Sequence, residues 1–117
     1  MKSIILSGSA LLFTFLVSKY IFGPTNLFYE IWWLDIPMHV WGGFLSAWFA
    51  SACIKYWNQD ISYTAIIFSF LVIAFVWEVY EYIIDTKEYL ANGFLDTVAD
   101  IINGALGATA WYFLLKK

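Results

Sequence analysis

The chain has 117 residues, 62% of them hydrophobic, 22% aromatic and only 13% charged, with a mean hydropathy of +0.73. Soluble domains average about 45–50% apolar and about 25% charged residues, so the composition excludes a water-soluble globule and makes the lipid bilayer the partner of its surface. Nine acids stand against six lysines and no arginine; a nucleic-acid reader needs a basic face at phosphate spacing, and nucleic acid is excluded as a partner.

Four apolar stretches of about 20 residues each, the length that crosses a bilayer, use most of the chain and predict a single membrane domain over residues 1–117. The first covers residues 4–22, interrupted only by Lys19, which is near enough to its end to snorkel. A signal peptide is the rival reading. No A-x-A-like site follows Val17, where Ser18-Lys19-Tyr20 stand instead, so an uncleaved helix is expected. Gly23-Pro24-Thr25-Asn26 then signals a turn and opens a short amphipathic link that ends in Trp32-Trp33. The second helix is expected over residues 36–57, with Asp35 as its N-cap and Pro37 in its first turn. Asn58-Gln59-Asp60 break the chain, and the third helix follows over 61–84. A polar loop from Asp85 to Gly93 leads to the fourth, over 96–115. Cys53, the single cysteine, lies inside the second stretch. It excludes an intramolecular disulfide and reads as a small buried hydrophobe.

Cytoplasmic loops carry the excess of positive charge. With four spans, both termini and the loop between the second and third helices share one side and collect Lys2, Lys55, Lys116 and Lys117, against Lys19 and Lys87 opposite. The termini are therefore expected on the cytoplasmic side. Tyr56, Trp57, Tyr63, Trp111 and Tyr112 then fall at the inner level as an interfacial belt, and Tyr29, Trp32, Trp33, Tyr82 and Tyr89 at the outer one.

The acids are distributed the other way. Only Asp60 falls on the cytoplasmic side in this topology, while Glu30, Asp35, Glu78, Glu81, Asp85, Glu88, Asp96 and Asp100 fall on the outer side. Glu30, Asp85 and Glu88 read as solvated loop charges. Glu78, Glu81 and Asp100 lie inside apolar helices, where ionisable residues are costly and by default face the bundle interior at a site. Asp35 and His39, and Asp96 and Asp100, are spaced i, i+4, and Glu78 and Glu81 i, i+3, so each helix offers one polar pair on one face. The same faces continue as Gly42, Gly43, Ser46, Ala50 and Cys53 on the second helix and as Asn103, Gly104, Gly107 and Ala110 or Trp111 on the fourth, small residues that let backbones approach closely in lipid. The three pairs are therefore expected to converge about 6–10 Å inside the outer interface at 1.5 Å rise per residue.

So many carboxylates in one cavity repel one another and cannot all stay ionised without counter-charge. Lys87 lies in a loop and there is no arginine, which leaves shared protons or a bound cation. Asp, Glu and His together suit a divalent metal such as Zn, Mn or Fe, and an oxygen-only subset suits Mg. The candidate ligands are Asp35, His39, Glu78, Glu81, Asp96 and Asp100, with Asn103 beside them in support. Taken singly, Asp35 and Asp96 read as N-caps and His39 as a hydrogen-bonded interior histidine. It is Glu78, Glu81 and Asp100 together that call for a common partner.

The runs Asp35-x-x-x-His39-x-x-Gly42-Gly43, Trp77-Glu78-x-x-Glu81 and Asp96-x-x-x-Asp100-x-x-Asn103-Gly104-Ala105-x-Gly107-Ala108 resemble, in that order, the pattern of the YjdF-type bacterial inner-membrane proteins. More loosely they are similar to VanZ-like proteins, for which the resemblance implies a link to low-level glycopeptide resistance. Glu81 stands where VanZ-like proteins usually carry Gln, and the Arg before their last Asp is missing, so the YjdF-type likeness is the closer. It covers the last three helices, implies a multi-pass protein of the inner membrane with these residues at its site, and names no reaction.

Three functions stay open at this stage. One is a metal-dependent membrane-embedded hydrolase or transferase acting on a lipid or cell-envelope precursor, with Glu78 or Glu81 as general base. Another is a non-catalytic metal- or proton-binding module. The third is an oligomer that handles cations or protons. Serine or cysteine nucleophiles rank low, because Ser46 lies two turns from His39 and Cys53 farther still.

Overall fold

The structure, a computed structural model, describes residues 1–22, 33–84 and 86–116, with the side chains of 1–20, 33–84 and 93–116. The turn at Gly23-Pro24-Thr25-Asn26, the link after it and the side chains of the loop charges Glu30, Asp85 and Glu88 lie outside that description.

Every described element is helical. Helix α1 (Lys2–Val17) runs on into a π-helical turn (Ser18–Phe22), and α2 (Asp35–Tyr56), α3 (Tyr63–Ile84) and α4 (Thr86–Lys116) follow. Three segments are long and apolar enough to cross a membrane: Lys2–Tyr20, Tyr63–Ile84 and Gly93–Lys116. The bundle is 42 Å long, about the thickness of a bilayer with its headgroups.

Helix α2 has the same 22 residues as α3 but is more polar, and its position explains why. It packs against all three other helices and buries Gly43, Leu45, Ser46, Ala47, Ala50, Ser51 and Ala52, whereas α3 buries only Ile66 and Phe70. A helix wrapped by helices needs no apolar exterior, while one that faces lipid does. Hydropathy thus marks the periphery of this bundle, and the small and polar residues mark its axis. Buried hydroxyls on the axis are satisfied locally: Ser46 donates to the Gly42 carbonyl at 2.7 Å and Ser51 to that of Trp48 at 2.8 Å.

Contacts fix the directions of the helices. Asp100 meets His39, a Cβ on Gly43 would run into the Gly104 carbonyl, and Trp111 donates its indole N–H to Ser51 Oγ at 3.1 Å. Positions advance together along both chains, so α2 and α4 run parallel. Tyr63 at the start of α3 bonds Thr109 near the end of α4 at 2.9 Å, which makes α3 antiparallel to both. Helix α1 also opposes α2, with the Phe49 ring against Gly8. Where α2 crosses α4 the glycines are required. A Cβ on Gly43 would overlap the Gly104 backbone, and one on Gly107 the Val40 carbonyl and the Phe44 amide. Gly42, assigned to the same face from the sequence, has open space around it instead.

Three boundaries and two aromatic assignments differ from the sequence expectation. Residues 86–92, expected as loop, are helical; the chain has no breaker until Gly93, whose φ of 82° and ψ of 173° interrupt α4 in a region essentially confined to glycine. Leu34, not Asp35, is the N-cap of α2. Helix α3 starts at Tyr63 because Ser62 Oγ accepts the Ala65 amide at 3.1 Å, an N-cap bond. The side chains of Trp111 and Tyr112, expected in an interfacial belt, pack within the bundle. Trp111 lies between α2 and α4 against Phe44 and Trp48, and Tyr112 is buried in the core with Ala47, Ala50, Ile66, Phe70 and Ala108.

Candidate functional site

Parallel α2 and α4 with antiparallel α3 bring the polar pairs to one end of the bundle. Lys2, Lys55 and Lys116 stand at the other, at the start of α1 and the ends of α2 and α4.

His39 is the hub. Its Nε2 lies 3.2 Å from Asp35 Oδ1, one turn earlier on α2, and 3.3 Å from Asp100 Oδ1 on α4. Asp35 therefore spends its carboxylate on the imidazole and makes no cap bond. Side-chain exposure falls from 42% at Asp35 through 24% at His39 to 11% at Asp100, so the group is open at its rim and closed at its base. One oxygen of each of the two carboxyls also lies within 4.8 Å of the other, a proximity that takes either a shared proton or a cation between them.

The glycine crossing sets this geometry. Gly43 and Gly104 stand one turn inward of His39 and Asp100 on the same faces, so backbone contact there holds the two side chains within reach. A Cβ on Gly104 would also strike the Phe70 ring, which closes the base of the site from α3.

One ligand atom from each of Asp35, His39 and Asp100 lies within 4.8 Å of the others. A cation about 2.1 Å from each of its donors separates neighbouring donors by roughly 3.0–3.4 Å in octahedral or tetrahedral geometry. The observed 3.2 and 3.3 Å fall in that interval. Among the described residues three protein donors converge, which leaves a coordination position open, the pattern of reactive metal sites as opposed to closed structural ones.

The other expected ligands stand around this triad, not in it. Glu81, half-buried on α3, is within electrostatic range of His39, Asp35, Glu78 and Lys19, and Asp96 within range of Asp35 and His39. Glu78 lines a groove of about 460 Å³ between α3 and α4, together with Leu71, Phe75, Val79, Tyr82, Thr97 and Ile101. Asn103 is half-buried on α4, just before Gly104. Lys19, in the π-helical turn that follows α1, is a counter-charge the sequence expectation left out: it is within electrostatic range of Glu81.

A family model described as "Predicted membrane protein (DUF2238)" matches residues 5–117. The chain belongs to the DUF2238 family. This is also the family of the YjdF-type proteins, so the likeness drawn from three motifs holds. For this DUF2238 protein it extends over α1 as well, the helix without a motif of its own. No curated protein and no solved structure matches the DUF2238 chain.

Proposed function

We propose that this protein crosses the inner membrane four times with its lysine-rich end in the cytoplasm, and that it binds a divalent cation at Asp35, His39 and Asp100. One observation carries the reading: two carboxylate oxygens from different helices converge on one imidazole nitrogen at 3.2 and 3.3 Å. Composition supports the fourth span, since α2 is long enough to cross and is shielded from lipid by the other three helices. The positive-inside rule supports the orientation, which turns the site outward.

The open coordination position favours a reaction over a purely structural role, and we infer a metal-dependent hydrolase or transferase. A cation held there supplies Lewis acidity and activates water. Asp35, His39 and Asp100 hold it, while Glu78 and Glu81 are the carboxylates left to accept a proton. Its substrate is a lipid or an envelope precursor, because the groove beside Glu78 is walled by Leu71, Phe75 and Val79, all exposed on a helix long and apolar enough to face lipid.

Elemental analysis of detergent-purified protein tests the cation. One equivalent of Zn, Mn, Fe or Mg is expected in the native protein and none in a His39→Ala/Asp100→Ala variant; no metal in either refutes the reading. Catalysis is tested with a membrane-lipid extract as substrate: Glu78→Gln should keep its metal and lose turnover, and full activity in that variant excludes Glu78 as the base.

A further inference from the structure

The groove of about 460 Å³ between α3 and α4 changes polarity along its length. Its α3 wall runs from Leu71 to Tyr82, about 16 Å at 1.5 Å rise per residue and close to half the roughly 30 Å hydrocarbon core of a bilayer. Its depth is thus that of one leaflet. The bond of Tyr63 to Thr109 and the seat of the Phe70 ring against Gly104 set the antiparallel register. They put Ile101 at the level of Leu71 to Phe75, and Thr97 between Phe75 and Glu78 in height. The inner part is therefore apolar on both walls. Polar groups enter only in the outer part, from Glu78, Thr97 and Tyr82.

Leu71, Phe75, Val79 and Tyr82 are exposed on a helix long and apolar enough to face lipid, so the groove fills from the bilayer and not from water. Depth and charge then select among lipids. A phospholipid keeps its phosphate in the headgroup layer, outside the hydrocarbon. Glu78 stands six residues before the end of α3 at Ile84, about 9 Å deeper, and a phosphate drawn to that level loses its water. Among the described residues that line the groove none is basic, and the charged one is a carboxylate, which repels a phosphate further. An uncharged hydroxyl reaches the same depth at far lower cost. There it meets oxygen acceptors, the Glu78 carboxylate and the Thr97 hydroxyl.

We propose that the groove between α3 and α4 selects a lipid with an uncharged, hydroxyl-bearing head, of the diacylglycerol type, over the surrounding phospholipids. One chain lies along Leu71, Phe75 and Ile101, and the hydroxyl is held at the level of Glu78 and Thr97. The inference rests on the reading of a lipid substrate given above, and not on the cation.

The experiment uses full-length protein in detergent with EDTA, so that no metal contributes. The probe is a diacylglycerol with a diazirine in one acyl chain, and residues labelled on irradiation are mapped by mass spectrometry. Dioleoylglycerol, dioleoylphosphatidic acid and dioleoylphosphatidylethanolamine, which share their chains and differ in the head, serve as competitors. Labels should fall on the groove walls, and dioleoylglycerol should compete about tenfold better than either phospholipid, the scale of a hydrogen bond to a charged group. Val79→Trp fills the groove and should abolish labelling there. Val76→Trp, at an exposed position of the same helix outside the groove, should preserve it. Glu78→Gln removes the repelling charge and should narrow the preference over phosphatidic acid several-fold. Either phospholipid competing as well as dioleoylglycerol overturns the head-group selection and leaves the lipid reading standing; labels absent from the groove overturn both. Should the variants fail to fold, the competition on the native chain decides.

Discussion

Replacing Gly43 with alanine tests whether the helix crossing builds the site. The added Cβ would overlap the Gly104 carbonyl, and helix backbone on both sides leaves no side chain to give way. Helices α2 and α4 must then separate by roughly 1 Å, a shift of the size that disables well-aligned sites. One turn outward, the 3.3 Å contact of His39 with Asp100 opens to about 4 Å, beyond hydrogen-bond length and beyond the donor spacing around a small cation. Overpacking of this kind costs about 1–3 kcal/mol, and cation affinity should fall with it. Gly42→Ala is the internal control. It adds the same methyl one residue away, where nothing lies within 4 Å, and should be neutral or stabilising by about 0.5–1 kcal/mol through helix propensity. Thermal unfolding and Zn²⁺ titration of both variants in detergent read the difference. Equal damage from the two substitutions, or an unimpaired triad in Gly43→Ala, would show that close backbone approach does not position His39 and Asp100.

Asp100→Asn should abolish cation binding and Asp96→Asn should weaken it no more than a few-fold, because only the first removes a donor atom from the triad; equilibrium dialysis separates them. Trp111→Phe deprives Ser51 of its 3.1 Å indole donor and should lower stability by about 1 kcal/mol without changing cation affinity. Gly93→Ala forces a side chain into the backbone conformation at φ 82° and should cost about 1–3 kcal/mol, seen as a lower Tm, even though there is room for the methyl.

The four helices were legible because hydropathy and turn residues report directly on what a segment can bury. Helical phase placed Asp35 with His39 and Asp100 with His39, since spacing on one helix and small residues on its packing face are both written locally. What stayed hidden depends on how helices sit around one another. Of the six candidate ligands, Asp35, His39 and Asp100 come within 4.8 Å of one another, while Glu78 lines the groove between α3 and α4 and Glu81 and Asp96 stand within electrostatic range of His39. Asp35 read equally as a cap or a ligand, and only the arrival of Asp100 at the same nitrogen distinguishes them. Trp111 and Tyr112 looked interfacial by position along α4, but their orientation depends on which side α2 occupies.

The parallel pairing of α2 and α4 has a consequence for biogenesis. In the four-span topology proposed above, the parallel α2 and α4 are separated by the span α3, so their shared site cannot close until α3 has been laid down and α4 has entered. During synthesis Asp35 and His39 reach the bilayer first and wait there without Asp100. Completion of the last helix is therefore the step that satisfies the first polar pair, and a chain truncated before Gly93 leaves buried charge that membrane quality control can recognise.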